Sequence, residues 1–179
     1  MAVEITIRWA KMSDLDSLVA TAQKVLEGLE KIGRANWYGG NDKKEFKEVL
    51  LSRKNEDGCV VAVNNGNIIG FIVLNTHNEE MCKKHFRDYQ IGTGLCIDGM
   101  GVLPQYQRQK VFTKMFAFAK SYAKALEKDY FFGTVAPENH VSQKVLRENT
   151  ELFMISKKAE RHEMFDNRIL ERKYFLAKI

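Results

Sequence analysis

The first part of the chain has a strand pattern followed by two helical patterns. Apolar and polar residues alternate from Val3 to Trp9, which is the period-two pattern of a half-buried β-strand. A helical pattern begins near Ser13, where Ser-Asp-Leu-Asp resembles a capping box, and keeps its apolar residues on one face as far as Leu29. A glycine-containing loop over Gly33–Asn41 then leads to a short helix predicted over 42–52.

The middle of the chain predicts a hairpin, a loop and a further strand. Two apolar runs, Cys59–Val63 and Ile68–Leu74, flank Asn64-Asn65-Gly66-Asn67, and Asn-Gly between apolar runs indicates a tight hairpin. The polar stretch 77–94 predicts a long loop. The next apolar run, 95–103, predicts a strand whose interior glycines indicate a bulge or a close approach of another backbone.

The remaining pattern completes an alternation of strands and helices. Helical spacing over 108–128 is followed by a strand over 129–135 and by a helix that Pro137 opens and that continues to about residue 148. Two strands, 152–160 and 169–178, close the chain. The predicted order is β-α-α-β-β-β-α-β-α-β-β. It favours an α/β (α+β) fold, with a mixed, mostly antiparallel central sheet and helices on both faces.

Composition narrows the class of protein. With 179 residues, the chain has the length of a single domain, 1–179. Its 45% hydrophobic and 28% charged residues are typical of a globular protein, and no apolar run approaches the length of a membrane span. Two of the three cysteines, Cys59 and Cys96, lie in strand-like runs. This, with the absence of a secretory signal pattern, predicts reduced thiols and a cytoplasmic protein.

Two further function classes are disfavoured. A net charge of +5 and a pI near 9.0 suit a polyanion partner, but the lysines are scattered along helix faces without a long basic block, so nucleic-acid binding is not predicted. His77, Cys82 and His85 lie in one polar stretch, but they give three weak ligands without a partner pair. No metal site is therefore predicted.

The segment Val102–Phe112 carries the most chemistry. A strand that turns into a helix collects unpaired backbone N–H groups at the start of that helix, where they can hold a phosphate. Arg108, Lys110 and Lys114 lie around the first turns, where each cation opposes the helix dipole by about 0.3–1 kcal/mol. A bound polyanion would reverse that cost. The alternative is that Arg108 and Lys110 are solvated loop residues.

The order of elements and this segment resemble the GNAT superfamily of N-acetyltransferases over nearly the whole chain. The family holds the pyrophosphate of acetyl-CoA on a loop of the form Gln/Arg-x-x-Gly-x-Gly/Ala. Gln107 matches its first position, whereas Lys110 and Phe112 stand where the two glycines are expected. The resemblance implies a GNAT-like sheet and a set of coenzyme-binding residues, namely Met100, Val102, Gln107, Arg108, Gln109, Lys110, Val111, Phe112, Thr113, Asn139 and Ser142.

A second segment, Asn139–Leu146, resembles the family's Asn-x-x-Ala-x-x-Leu-Tyr, whose asparagine lies near the pantetheine arm. Leu146 falls where many members have the tyrosine that protonates the departing thiolate, and leucine has no proton to give. Other interpretations stay open. Asn139 can cap a helix, Ser142 can be a helix surface position, and Phe112 continues an apolar row and is expected in the core.

The resemblance also places catalysis and acceptor binding. Asp98 is the one carboxylate inside its apolar strand, and it would serve as general base if burial raises its pKa. The alternative is that Asp98 faces solvent or caps a bulge amide. Asn36, Trp37 and Tyr38 lie in the loop that lines the acceptor pocket in this family, although Trp37 could instead be a buried anchor for that loop.

These observations lead to a prediction of function. The chain is expected to transfer an acetyl group from acetyl-CoA to a primary amine, on a small molecule or a peptide, by direct attack in a ternary complex. The alternative is a non-catalytic module on the same fold that binds acyl-CoA or acts in regulation, because both loop glycines and the tyrosine are missing. The closing strands could also pair across a homodimer.

Overall fold

Thirteen regular elements make up the described part of the chain. The computed structural model describes residues 4–38, 40–52, 57–76, 79–87, 92–163, 167 and 169–179, so the predicted positions of Val3 and His77 lie outside it. The elements are β1 (Thr6–Trp9), α1 (Leu15–Lys31), α2 (Lys43–Leu51), β2 (Gly58–Asn64), β3 (Asn67–Asn75), α3 (Glu79–His85), β4 (Gly94–Val102), α4 (Val111–Ala125), β5 (Tyr130–Val135), α5 (His140–Asn149), β6 (Leu152–Ile155), β7 (Glu160–Glu163) and β8 (Ile169–Lys178).

The strands form one mixed sheet in the order β1-β2-β3-β4-β5-β8-β6, and β7 pairs with β8 beside this path. Only β4 and β5 run parallel among these pairs, with α4 as their crossover, which confirms the predicted mixed and mostly antiparallel sheet. The predicted hairpin between β2 and β3 is also confirmed. Its turn residues Asn65 and Gly66 both have positive φ, as a type I′ turn requires.

Helices cover both faces of the sheet, as predicted. Neighbouring residues of β3 point to opposite faces. The Phe71 ring meets Phe46 of α2 edge-on at 5.6 Å, whereas a Cβ placed on Gly70 would lie 3.1 Å from the Met115 side chain of α4. The main core extends through both layers, and a smaller cluster of Phe86, Cys96, Phe132, Tyr174 and Leu176 lies at the β4–β5–β8 side.

The prediction of a loop over 77–94 is wrong in part, because α3 occupies Glu79–His85. Its sequence, Glu-Glu-Met-Cys-Lys-Lys-His, offers too few apolar residues for a helical period to be visible. The buried anchor of this region is Phe86, which follows the helix and packs into the smaller cluster. Because the apolar anchor lies just outside the polar helix, the sequence pattern does not reveal α3.

Two predicted element boundaries also need correction. The strand predicted over 152–160 is two strands, with Ser156 between them. The Ser156 N–H still donates to the Tyr174 carbonyl of β8, but its hydroxyl accepts from the Tyr174 N–H and donates to the Lys158 carbonyl. The helix predicted from Arg108 begins at Val111, because Arg108 and Lys110 have φ of 62° and 58°, outside the right-handed helical region.

None of the helices in the described ranges is both long enough and apolar enough to cross a bilayer.

Candidate active site

The two parallel strands separate to form a fork. The pairing of β4 with β5 runs from Gly94–Tyr130 to Ile97–Gly133 and ends there, although β4 continues to Val102 and β5 to Val135. At the closed end, a Cβ on Gly133 would lie 2.6 Å from the Ile97 carbonyl oxygen, so only glycine permits this approach. Beyond that point β4 keeps its pairing with β3 alone, and its opposite edge faces the fork.

A β-bulge lies at the start of the open part of β4. Val73 is opposite Gly99 and Leu74 is opposite Ile97, which leaves Asp98 as the extra residue on β4. This confirms the bulge that the interior glycines predicted. Gly99 also permits a close approach, because a Cβ there would overlap with the Asn41 side-chain oxygen. The bulge therefore brings the loop between α1 and α2 against the open part of β4.

A hydrogen-bonded group of side chains covers this bulge. The Tyr38 hydroxyl donates to Asn41 Oδ1 at 2.7 Å, and Asn41 Nδ2 donates to Glu45 Oε2 at 3.4 Å. Burial raises the pKa of Tyr38 far above its ordinary value, which keeps its hydroxyl a donor. Asn41 and Glu45 are not among the site residues predicted from the sequence. The Asp42–Glu45 spacing is readable as a capping box, which the structure contains, but nothing in it points to the bulge.

Asp98 differs from its prediction in one respect. Its side chain is exposed, so the burial on which the general-base interpretation depended is not met, and the solvent-facing alternative is confirmed. The half-buried carboxyl group here is that of Glu45. Burial raises the pKa of Glu45, and the negative charges of Asp98 and Asp42 act in the same direction. The exposed carboxyl group of Asp98 and the half-buried one of Glu45 thus lie close enough for their charges to interact.

The predicted coenzyme loop joins β4 to α4. The first α-helical bond runs from the Lys114 N–H to the Lys110 carbonyl at 3.0 Å, so the amides of Val111, Phe112 and Thr113 precede it. Side-chain amides fold the loop locally: Gln107 Nε2 donates to the Val102 carbonyl at 3.3 Å, and Gln109 Nε2 donates to the Gln105 carbonyl at 2.9 Å. The loop thus presents a row of amides at the N-terminus of α4.

The positive φ of Lys110 shows a second role for the glycine that the family has at this position. Glycine at this position gives room for phosphate oxygens and also adopts the left-handed conformation without steric cost. Lys110 adopts that conformation with a Cβ, and its side chain makes no capping bond to α4. The sequence indicates that Lys110 removes space for phosphate oxygens, but it does not indicate the left-handed backbone conformation.

The other predicted coenzyme residues are placed as follows. Phe112 is half-buried against the main core and stacks on Phe116 with ring centroids 5.6 Å apart, which confirms its core interpretation. Val111 is buried and Thr113 and Arg108 are exposed. Met100 and Val102 lie on the open part of β4, half-buried. The loop and the β4 edge are therefore continuous along the chain.

The start of α5 confirms the interpretation of Asn139 as a helix-capping residue. The buried Asn139 caps this helix, and its Oδ1 accepts the Ser142 N–H at 3.0 Å. Leu146, at the family's tyrosine position, is 0% exposed and packs in the main core. Since leucine cannot donate a proton, this position supplies no acid to the fork.

The residues predicted for acceptor binding form a bridge between elements. Ala35–Trp37 is a 3-10 turn, and the Arg34 guanidinium lies 4.3 Å from the centre of the Trp37 ring. Asn36 Nδ2 donates to Glu138 Oε1 beyond β5, and the Trp37 carbonyl accepts from Arg172 Nη1 of β8 at 3.4 Å. Trp37 is half-buried, and Tyr38 packs against Phe71.

In the polar stretch that contains His77, Cys82 and His85, one histidine makes a ring contact with β8. His85 stacks on Tyr174 with ring centroids 3.9 Å apart, and the placement of His77 and of the Cys82 side chain lies outside the described structure. Among the residues that the structure describes, no group of histidine, cysteine or carboxylate side chains has the arrangement of a metal site.

Comparison with known proteins defines the class. The model of the Acetyltransferase (GNAT) family matches residues 25–149, more than half of the chain, which therefore belongs to this family. By class the protein is an acetyltransferase. A comparison with curated protein sequences gave no significant match.

Solved structures share the fold. An acetyltransferase of the GNAT family from Streptococcus pneumoniae superposes with a TM-score of 0.67 at 15% identity, over 98% of this chain and 100% of that one. The protein yncA from Salmonella typhimurium, solved with its cofactor acetyl-CoA, gives 0.68 at 12% identity, over 97% and 93%. The PaiA N-acetyltransferase from Thermoplasma acidophilum, in complex with coenzyme A, gives 0.64 at 15% identity, over 98% and 99%.

Proposed function

We propose that this acetyltransferase moves the acetyl group of acetyl-CoA to a primary amine, by direct attack in a ternary complex in the cytoplasm. The observation that carries the proposal is the fork between β4 and β5, with a bulge at Asp98 and a helix N-terminus at the end of the same strand. The similar fold of yncA, solved with acetyl-CoA, and of PaiA, in complex with coenzyme A, supports the choice of acyl donor.

The residues present fit the coenzyme in two places. The edge of β4 that faces the fork carries main-chain groups of Met100 and Val102, to which the pantetheine amides would bond. The Gln107 N–H already donates to the Pro104 carbonyl, so the amides from Arg108 to Thr113 would hold the pyrophosphate, with the charges of Arg108 and Lys110 beside them. The Asn139 side chain already caps α5. We therefore propose that Ser142 and the backbone at the start of α5 border the pantetheine.

The reaction needs a neutral amine and a route for its proton. The amine nitrogen forms a bond to the thioester carbonyl carbon, the carbon–sulfur bond breaks, and the coenzyme leaves as its thiolate. The nitrogen becomes strongly acidic once it has bonded to the carbonyl carbon, so an exposed carboxylate can accept its proton. We assign this role to Asp98, directly or through water, with the interacting charge of Glu45 nearby. A thiolate is a good leaving group even without an acid, so Leu146 does not prevent the reaction.

Acceptor binding is assigned to the turn that holds Asn36, Trp37 and Tyr38. It lies next to the bulge through the Tyr38–Asn41 bond and thus borders the place where the thioester would lie. The acceptor is a small-molecule or peptide amine, and the carboxyl groups of Asp98 and Glu45 give its entry a negative charge that attracts an ammonium group.

Two measurements test the proposal. Calorimetric titration with acetyl-CoA and with coenzyme A should show binding, and absence of heat at millimolar ligand contradicts an acetyl-CoA-dependent enzyme. A panel of primary amines, comprising amino acids, polyamines, aminoglycosides and short peptides, is then assayed for release of free coenzyme thiol. Release that depends on both amine and acetyl-CoA supports transfer in a ternary complex.

A second candidate is a non-catalytic module that binds acyl-CoA. It is favoured by Lys110 and Phe112 at the glycine positions and by the fully buried Leu146. Coenzyme binding without thiol release over the whole amine panel would support this candidate, and turnover with any amine would remove it.

A further inference from the structure

The turn between α1 and α2 contacts both arms of the fork. We call its residues Arg34–Tyr38 the strap. The β4 arm is the open part of β4 from Asp98 onward. The other arm consists of the end of β5 with its following loop and the neighbouring part of β8. A segment fixed to both arms lies across the open side, where an acceptor would approach the thioester.

On the β4 arm the attachment is through Tyr38. Its buried hydroxyl donates to Asn41, and the Asn41 side chain occupies the space that a Cβ on Gly99 would fill. The Tyr38 ring also lies 6.0 Å from Phe71 of β3, which pairs with β4. This end of the strap is therefore held by a hydrogen bond, a close contact and a ring contact.

On the other arm two hydrogen bonds attach the strap. Asn36 donates to Glu138, which lies in the loop between β5 and α5. Arg172 donates to the Trp37 carbonyl at 3.4 Å. Because Lys173 pairs with Val135, the last residue of β5, Arg172 lies one position beyond the end of that strand, on the open side of the fork.

Burying the charged side chain of Arg172 at this position costs free energy. It is 4% exposed, and a buried guanidinium loses hydration that only hydrogen bonds and charge partners replace. Glu160 is its register partner on β7, and its positive charge contributes to lowering the pKa of His162, for which burial is the main cause. A neutral apolar residue would satisfy the sheet equally well, so packing alone does not explain an arginine here.

We propose that Arg172 is a positioning residue that holds the strap across the fork and thereby sets the acceptor-binding geometry. The part about the acceptor rests on the proposed function, whereas the attachment itself does not. Arg172 would not touch the acceptor. It fixes the Trp37 carbonyl, and the next residue, Tyr38, is thereby held with its hydroxyl on Asn41 beside the bulge.

The attachment is tested by fluorescence without any ligand. The chain has two tryptophans, so Trp9→Phe leaves Trp37 as the single reporter, and phenylalanine keeps an aromatic ring next to Phe118 and Tyr122. In this background Arg172→Met should raise the acrylamide quenching constant of Trp37 roughly threefold, because the strap opens more often. The matched control is Arg161→Met, which removes an exposed arginine from the adjacent strand β7 and should leave quenching unchanged.

Kinetics then separate positioning from general damage. With acetyl-CoA and an amine that the panel identifies, Arg172→Met should raise the acceptor KM about 10-fold and leave the coenzyme A Kd within about twofold. Arg172→Lys keeps a charged donor and should recover part of the loss. Should Arg172→Met not fold, Arg172→Gln in the Trp9→Phe background replaces it for quenching, because its shorter neutral side chain also removes the guanidinium that donates to the Trp37 carbonyl.

The outcomes are distinct. Unchanged Trp37 quenching in folded Arg172→Met, or in Arg172→Gln where that variant replaces it, overturns the proposal. An equal loss of coenzyme and acceptor affinity also overturns it, because that result indicates a general structural role. If coenzyme A does not bind the parent protein, the proposed function fails, and the quenching experiment still decides whether Arg172 holds the strap.

Discussion

The two halves of the candidate site are built in different ways. The coenzyme half, residues 107–113 with the start of α5, presents main-chain amides at helix N-termini. The acceptor half is built from side chains of Tyr38, Asn41, Glu45 and Asp98, which come from two parts of the chain, residues 38–45 and β4. A backbone site tolerates changes of side chain, whereas a site made of side chains loses its function when a side chain that takes part in the reaction changes.

This difference explains how the coenzyme half can depart from the family's glycine pattern. Any residue except proline carries the same N–H donor, so Lys110 and Phe112 leave the row of amides intact. What changes is the strain in the loop, since Lys110 has a φ of 58°, and the charge beside it. Substitutions in the acceptor half should therefore affect turnover, and those in the coenzyme half should affect mainly stability and affinity.

The largest effect is expected in the acceptor half, from Asp98→Asn. If this carboxylate accepts the amine proton, the change should lower kcat/KM about 100-fold or more, equal to about 2.7 kcal/mol, with little change in coenzyme A affinity. The measurement is thiol release with an amine that the panel identifies, together with calorimetric titration of coenzyme A.

The control for this variant is Asp129→Asn, which neutralises another exposed carboxylate just before β5, at the far end of the strand from the open fork. It should leave both quantities unchanged. Equal activity of Asp98→Asn and the parent would show that the two halves do not divide the work in this way.

The sequence predicts the backbone parts of this site better than the side-chain parts. The bulge follows from interior glycines, and the loop before α4 follows from a strand that runs into a helical period. Both are local patterns. The contact of Asn41 with Gly99 and the bond from Arg172 to Trp37 join residues far apart in sequence, and only the folded sheet brings them together.

Side-chain chemistry was predicted less well for a related reason. A polar residue on a strand faces either the core or solvent, and the sequence leaves both open for Asp98. The structure exposes Asp98 and half-buries Glu45, which the sequence shows only as part of a capping box. The left-handed conformation of Lys110 was also hidden, because lysine carries no signal for positive φ.

The next largest effect tests the coenzyme half at α5. Leu146→Tyr restores the family's tyrosine, but Leu146 is 0% exposed in the main core. A larger side chain with a hydroxyl group should lower the free energy of unfolding by roughly 1–3 kcal/mol and should not raise turnover. Urea denaturation and thiol release measure the two quantities.

Leu146→Met is the control for this substitution, since a swap of similar volume should cost less than about 1.5 kcal/mol. Unchanged stability together with faster turnover in Leu146→Tyr would show instead that this position reaches the fork, and that the coenzyme half also depends on a side chain.

A smaller effect of opposite sign is expected for Lys110→Gly. Glycine adopts the left-handed conformation without a Cβ clash, so the variant should be more stable by roughly 0.5–1 kcal/mol. Gln109→Gly is the matched control, because Gln109 lies one residue away and lacks positive φ. It should be neutral or destabilising. Urea denaturation of both variants checks the prediction, and a loss of stability in Lys110→Gly would contradict a strained loop.

The smallest effect returns to the acceptor half, with Glu45→Gln. Glutamine can keep the capping box, and it removes the charge that burial and the neighbouring carboxylates Asp98 and Asp42 disfavour. Because the folded-state pKa of Glu45 lies above its usual value of 4.5, the parent loses stability as pH rises from about that value through the folded-state pKa. Denaturation at several pH values should therefore show the variant more stable at pH 7, by less than about 1 kcal/mol for a half-exposed group. Since the protonated parent carries no charge there, this advantage should shrink as the pH falls through that window. An advantage that stays constant with pH would mean that it comes from packing rather than from the charge of the acceptor half.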